Sequence, residues 1–184
     1  TRALAEDLCD ATTPRLEELP VIADAHKGRA DRSTLLHPAW GDNLFLETFF
    51  DSGGMDDLAR TAPVKVTRTY KTARQCMHPM EGKGALAYWD FQASQLVLIT
   101  STQVPHLIRT GVAECLGIEQ ERVRIITPDV GGGFGYKCLL QPEELIVAWL
   151  ALTRRQPFRW IEDRREHLTA GANAREHHYT VTAY

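Results

Sequence analysis

Residues 130–137 read VGGGFGYK, and the interpretation of the chain turns on them. Gly131, Gly132, Gly133 and Gly135 carry no Cβ, so this backbone can take positive φ and come close to a ligand, offering bare N–H groups to an anion or an oxo atom. Each glycine that is not needed costs roughly 0.5–1 kcal/mol relative to alanine, so a run this dense implies a use. Two nucleotide-binding loops fail at one residue. A GxGxxG fingerprint beginning at Gly131 needs glycine at 136, and GxxxxGK needs glycine directly before Lys137; the chain has Tyr136 in both cases. The plain alternative is a tight strand-to-helix turn with no ligand.

The segments around the loop alternate between the two regular periods. Upstream, 122–127 reads as a strand. Downstream, 141–155 reads as a helix opened by Pro142, with Glu143 and Glu144 in the first turn where the helix dipole favours anions. Residues 85–90 and 95–100 predict a hairpin, the second arm apolar enough to be central. A helix over 106–116 follows, with Leu107, Ile108, Val112 and Leu116 as its buried stripe and Ser101 or Thr102 as its cap. Residues 158–161 form another strand and DRREHLT a helical turn before a last strand at 177–184. Nearer the start, 43–50 (NLFLETFF) looks strand-like, 51–61 reads as a turn and short helix, and 64–72 alternates strictly. Residues 1–40 hold a short helix, turns at Pro14 and Pro20, and a polar connection of linker composition. This order is α+β or α/β in character, without internal repeats.

Composition narrows the function. The 184 residues are 43% hydrophobic and 24% charged, with a net charge of −3, as in a globular protein. Lys and Arg are dispersed, so no basic stripe exists to neutralise a run of phosphates, which argues against nucleic acid as a partner. The longest apolar run, LIVAWLALT at 145–153, is far shorter than the ~20 residues of a bilayer-spanning helix. Cys9, Cys76, Cys115 and Cys138 stand far apart without a CxxC pair. They read as reduced thiols of a cytoplasmic protein, without zinc or iron–sulfur spacing. The opening TRALAEDLCD is polar and helix-like with no secretion signal, and both ends read as interrupted elements, which points to an internal fragment.

VGGGFG followed by one residue and Lys resembles the large, molybdenum-binding subunit of the xanthine dehydrogenase/aldehyde oxidase type of molybdenum hydroxylase. The resemblance extends to LEELP at 16–20, GDN at 41–43, HPMEG at 78–82, STQVPH at 101–106, an LG..E.VR.I segment before the loop, and PEEL and WIEDRREHLTA after it, so it covers essentially the whole chain. It implies an α+β fold with mixed sheets and packed helices. Residues 1–40 would end a preceding α/β hammerhead-type domain plus linker, and 41–184 would begin the cofactor-binding domain. It also implies a molybdopterin cofactor carrying Mo, in a dinucleotide form, with iron–sulfur clusters and FAD on partner subunits or domains. The implied reaction is oxidative hydroxylation of an aldehyde or N-heterocycle with water as the oxygen source. The expected partners are the remainder of the large subunit, an iron–sulfur subunit, an FAD subunit and a small-molecule substrate.

The resemblance also assigns residues. Gln103 would sit beside the apical oxygen of molybdenum, where a carboxamide N–H can donate without bringing charge. Gly132, Gly133, Phe134 and Gly135 would bring backbone to the cofactor, with Gln103 and Phe134 close to the metal without ligating it. Phe134 would also shape the substrate channel. Purine-oxidising members carry Glu directly after the motif's Lys; Cys138 stands there, which disfavours xanthine. The family's general base, a Glu near the C-terminus of the full subunit, has no counterpart, so no catalytic residue is assigned and the segment alone is expected to be inactive. Glu81, with His78 in HPMEG, reads as structural or as bordering the entrance. His177 and His178 are strand neighbours facing opposite sides and cannot chelate one metal. The charged run 162–166 reads as a solvated helix start. The competing interpretation is a structural or interaction module whose Gly-rich loop only turns strand into helix.

Overall fold

Residues 95–100, QLVLIT, are apolar on both faces, and a strand of that kind is stable only when neighbours flank it and both faces are covered. In the computed structural model, which describes residues 1–184, the chain divides into two units, Thr1–Arg60 and Thr61–Tyr184, and this strand is central to the second.

The first unit holds helices α1 (Arg2–Asp10), capped by the Thr1 side chain, and α2 (Ala25–Ala30), capped by Asp24, with a 3-10 turn at Pro38–Trp40. A third helix, α3 (Met55–Thr61), runs to its end. Asn43 organises this unit: its amide nitrogen donates to the carbonyls of Gly28, Asp31 and Thr34, and its oxygen accepts from Leu36 N–H. That explains the GDN motif as a loop clasp. The strand expected over 43–50 does not form. Strand-like composition alone does not make a strand; a partner edge must supply hydrogen bonds, and residues 1–60 contain no strand, leaving Phe45, Phe49 and Phe50 exposed.

The second unit contains β1 (Val66–Thr72), β2 (Gln75–Cys76), β3 (Gly84–Asp90), β4 (Gln95–Thr100), α4 (Pro105–Leu116), β5 (Val123–Ile126), α5 (Pro142–Arg154), β6 (Phe158–Ile161), α6 (Arg164–Ala170), β7 (Asn173–Ala174) and β8 (His177–Ala183). Its main sheet has the order β5-β4-β3-β6. The predicted hairpin is β3–β4, and β4 pairs with β5 in parallel after the α4 crossover. The first and last strands, β1 and β8, zip as an antiparallel ribbon, and β2 meets β7 over two residues. The expected α+β class, with mixed sheets and packed helices, is what forms.

Packing follows the side-chain sizes. Ala85 and Ala87 of β3 and Leu96 and Leu98 of β4 meet Ile108 and Val112 of α4 and Ala148 and Ala151 of α5 in one core. Alanine on both sides of the β3–α5 contact lets helix and sheet approach closely. On α4 the expected stripe is shifted: Ile108, Val112 and Ala113 are buried and Leu116 packs at the margin, but Leu107 is 67% exposed. Neither Ser101 nor Thr102 caps α4. The N-cap is Val104, and Thr102 Oγ1 instead accepts the Val104 N–H at 3.1 Å. Helix α5 begins with Pro142 and a capping box between Gln141 and Glu144. There, a fully buried Lys83–Glu144 ion pair of 2.8 Å joins the start of β3 to the first turn of α5. No helix is long and apolar enough to cross a membrane.

Candidate functional site

Both segments singled out for chemistry leave the carboxyl ends of the parallel strands: 101–105 follows β4 and the Gly-rich loop follows β5. The loop takes positive φ at Gly132 (97°), Phe134 (53°) and Gly135 (87°) and ends in a 3-10 turn at Tyr136–Cys138. For Phe134 that conformation is costly, of order 1 kcal/mol or more, and persists only because the surroundings enforce it.

Two glycines are required by the chain's own side chains. A Cβ on Gly133 would lie 2.3 Å from Gln103 Oε1, and one on Gly131 would lie 2.7 Å from Glu81 Cβ. The absence of Cβ at these two positions therefore has a cause within the chain: HPMEG and STQVPH press on the loop, and the glycines accommodate them. Gly132 and Gly135 are accounted for by φ.

Gln103 is bound into the loop from two sides. Its backbone N–H donates to Lys137 O at 3.0 Å, and its Oε1 accepts the Gly135 N–H at 3.1 Å. Because that neighbour is a donor, the carboxamide oxygen must face it, and the amide nitrogen, which has no partner in the chain, is the end left to donate. The Gly135 amide is engaged by this bond, and that of Gly131 by Glu81. The N–H groups of Gly132, Gly133 and Phe134 donate to nothing in the chain. Phe134 itself is 73% exposed. Three consecutive unpaired amides beside a carboxamide N–H form a donor set suited to oxo or other electron-rich atoms. Cys138, half-buried, closes the turn with its N–H on Gly135 O at 3.1 Å.

The loop's second half is anchored from below. Lys137 is fully buried and its Nζ donates to Glu81 Oε2 at 2.8 Å. Burial works to raise the Glu81 carboxyl's pKa, but hydrogen bonds from Lys137 and Gly131 and the Lys137 charge outweigh it and hold the value below the usual carboxylate range. The buried Tyr136 hydroxyl donates to Glu162, and burial first, then that bond and the carboxylate's charge, push its pKa well above the ordinary phenol value.

Glu162 corrects the expectation for 162–166. It is buried, and besides Tyr136 it accepts Lys83 N–H at 2.8 Å and faces His167 Nδ1 at 3.2 Å. Arg164 donates to the carbonyls of Pro79 and Met80, and Glu166 accepts from Trp160 Nε1. Most of this run ties the HPMEG segment and the loop to the sheet. A signal was available: Phe158 and Trp160 alternate inward along β6, and the same period places Glu162 inward.

Cys76, His78 and His167 come together, their ligating atoms all within 4.8 Å. Sequence spacing hid this, since 91 residues separate Cys76 from His167. The His167 ring is committed elsewhere, however, with Nε2 on Met77 O at 2.8 Å and Nδ1 on Glu162, so the group is a hydrogen-bonded cluster and no metal is assigned to it. His177 pairs with Tyr179 and His178 with Glu176, and they do not converge.

The fold brings unpaired backbone amides and one neutral carboxamide together beyond the carboxyl ends of two parallel strands. Residues 36–184 match the molybdopterin cofactor-binding domain family, and the chain belongs to that family. It is 34% identical over 181 residues to the nicotine 6-hydroxylase large subunit of Paenarthrobacter nicotinovorans, covering 98% of this chain and 22% of that protein. It is 30% identical over 190 residues to the carbon monoxide dehydrogenase large chain of Hydrogenophaga pseudoflava, covering 96% and 24%. Quinoline 2-oxidoreductase from Pseudomonas putida 86 superposes with a TM-score of 0.86 at 31% identity, over 99% of this chain and 23% of that one. The chain thus spans about a quarter of the length of these relatives.

Proposed function

We propose that the protein carrying this chain is a molybdenum-dependent oxidoreductase that hydroxylates an aldehyde or N-heterocycle with oxygen from water, and that Gln103, Gly132, Gly133, Phe134 and Gly135 hold its molybdenum cofactor. The observation that carries this is the unpaired donor set: three successive backbone amides and the Gln103 amide nitrogen, facing no acceptor of the chain. Bound there, the cofactor supplies the two-electron oxidation chemistry, and the protein supplies orientation and dipoles. Gln103, held by Gly135 N–H and Lys137 O, presents its N–H without reorganising, the property that gives fixed donors their electrostatic weight in a site. Phe134 borders the approach of an apolar substrate. Gly135 contributes by fixing Gln103 rather than by offering its own amide.

Residues 41–184 are the first part of the cofactor domain, and 1–40 the end of a preceding hammerhead-type domain with its linker; the family match over 36–184 supports this division. Cys138 supplies no charged acceptor for a purine, and the names of the nicotine and quinoline relatives favour an N-heterocycle. Iron–sulfur and FAD subunits, a pterin dinucleotide and a cytoplasmic location complete the proposal. The general base lies outside these residues. Metal analysis of the intact enzyme tests the reading: molybdenum at about one per large subunit supports it, and its absence refutes it. In Gln103→Ala, turnover should fall about 10²–10³-fold, as on removal of one fixed donor, with the melting temperature nearly unchanged. Full turnover in that variant would refute the role given to Gln103.

A further inference from the structure

We infer that Glu81 is a positioning residue that ties the two ends of the Gly-rich loop together and so keeps in place the backbone that carries the unpaired amides of Gly132, Gly133 and Phe134. This rests on the cofactor role proposed for the loop, and assigns Glu81 more than the fold-supporting or entrance-bordering place its sequence context suggests. One carboxylate oxygen, Oε2, receives both the N–H of Gly131 at the loop's entrance and Nζ of Lys137 at its exit. The main chain adds a third link, Glu81 N–H to Gly131 O at 3.3 Å. The seven residues 131–137 are thereby closed over one atom, and the unpaired amides lie inside that closure. The approach is so near that Gly131 has no room for a Cβ, which would meet Glu81 Cβ at 2.7 Å and Oε2 at 3.0 Å.

The arrangement is lopsided in a useful way. Lys137 is entirely buried whereas the Glu81 side chain is 39% exposed, so the ammonium has no water to turn to if Glu81 is lost. Its own carbonyl is already occupied by Gln103 N–H and Thr102 Oγ1. Loss of Glu81 would therefore displace Lys137, and with it the backbone that holds Gln103. A mutation in HPMEG would thus act on the cofactor through the loop, without touching the cofactor.

The experiment compares Glu81→Ala, Glu81→Gln and the double variant Glu81→Gln/Lys137→Met in the holoenzyme, following hydrogen exchange over 131–137, molybdenum content and the Mo(V) resonance signal. Glu81→Ala should speed exchange of the loop about tenfold, as for loss of a charge-assisted bond, leave the β3–β4 hairpin within about twofold, lower molybdenum content and alter the resonance line shape. Glutamine can still accept both donors on one oxygen, so Glu81→Gln should restore most of the loop's protection. The double variant removes both charges together and should keep the metal better than Glu81→Ala does; it also serves if the alanine variant does not fold. Wild-type exchange, metal content and line shape in Glu81→Ala would overturn the inference, as would loop and hairpin loosening equally. If the wild-type enzyme contains no molybdenum, the proposed function fails, while the exchange measurement still judges the clamp.

Discussion

Replacing Lys83 by methionine should be among the most damaging single changes in this chain. Lys83 and Glu144 are both 0% exposed, and Lys83 Nζ donates to Glu144 Oε2 and to Leu139 O, each at 2.8 Å. Burial pulls the lysine's pKa below its ordinary value, opposed by the charge and hydrogen bond of Glu144. Glu144 also accepts from Thr100 Oγ1 at 2.5 Å and Gln141 N–H at 2.8 Å, so one carboxylate joins β4, the start of α5 and the residue before β3. Lys83→Met leaves that carboxylate buried without a cation, and breaking a buried pair from one side costs about 3–5 kcal/mol. At roughly 2–4 °C per kcal/mol for a chain of this size, the melting temperature should drop about 6–20 °C. Urea unfolding followed by tryptophan fluorescence gives the same quantity. The paired variant Lys83→Met/Glu144→Leu removes the stranded charge and should recover much of the loss, though Leu139 O and Gln141 N–H would then lack partners at about 1 kcal/mol or more each, while Thr100 Oγ1 keeps Gly84 O. The reasoning fails if Lys83→Met costs less than about 1 kcal/mol, or if the paired variant is as unstable as the single one.

Gly133→Ala should expel the Gln103 side chain, because the new Cβ would sit 2.3 Å from Oε1 and 2.4 Å from Cδ. The penalty should largely vanish in a Gln103→Ala background, with a coupling of about 0.5–3 kcal/mol in a double-mutant cycle; additive losses would show that the side chain is not the obstacle. Tyr136 gives a signature in alkali. Its pKa is raised in the fold, so its contribution to stability is fully present below about pH 10, the unfolded value, and is lost as pH climbs towards the folded value, the unfolded chain binding fewer protons there. Tyr136→Phe should flatten that alkaline decline in urea midpoints, and identical pH profiles for both proteins would count against the buried Tyr136–Glu162 bond.

The elements that sequence predicts well here are those decided by local pattern. Residues 85–90 and 95–100 pair as a hairpin, and Pro142 with Glu144 opens α5, because period and capping chemistry act within a few residues. What pattern misses depends on distant partners. Residues 43–50 have the composition of a strand and find no edge in their unit; Leu107 has the right spacing for burial and faces outward; Glu162 sits in a charged run and is buried because Tyr136, Lys83 and His167 surround it. Of the site, the glycines and Gln103 are legible as types of residue. That Gln103 and Glu81 are the reasons for Gly133 and Gly131 depends on contacts across 30 and 50 residues of sequence, which no spacing rule reaches.

Strands β4 and β5 run side by side in register, Leu96 opposite Val123 and Ile99 opposite Ile126, and the segments carrying Gln103 and the Gly-rich loop emerge at the same end of that ladder. Paired strands keep a separation of about 4.8 Å, so the sheet acts as a gauge block that sets the spacing at which Gln103 and the loop begin. Residues beyond the ladder, Cys138 among them, can change while the gauge stays the same, because none of them belongs to the β4–β5 pairing. Variation in the loop is thereby uncoupled from the hydrophobic interior, to which residues 130–138 do not belong.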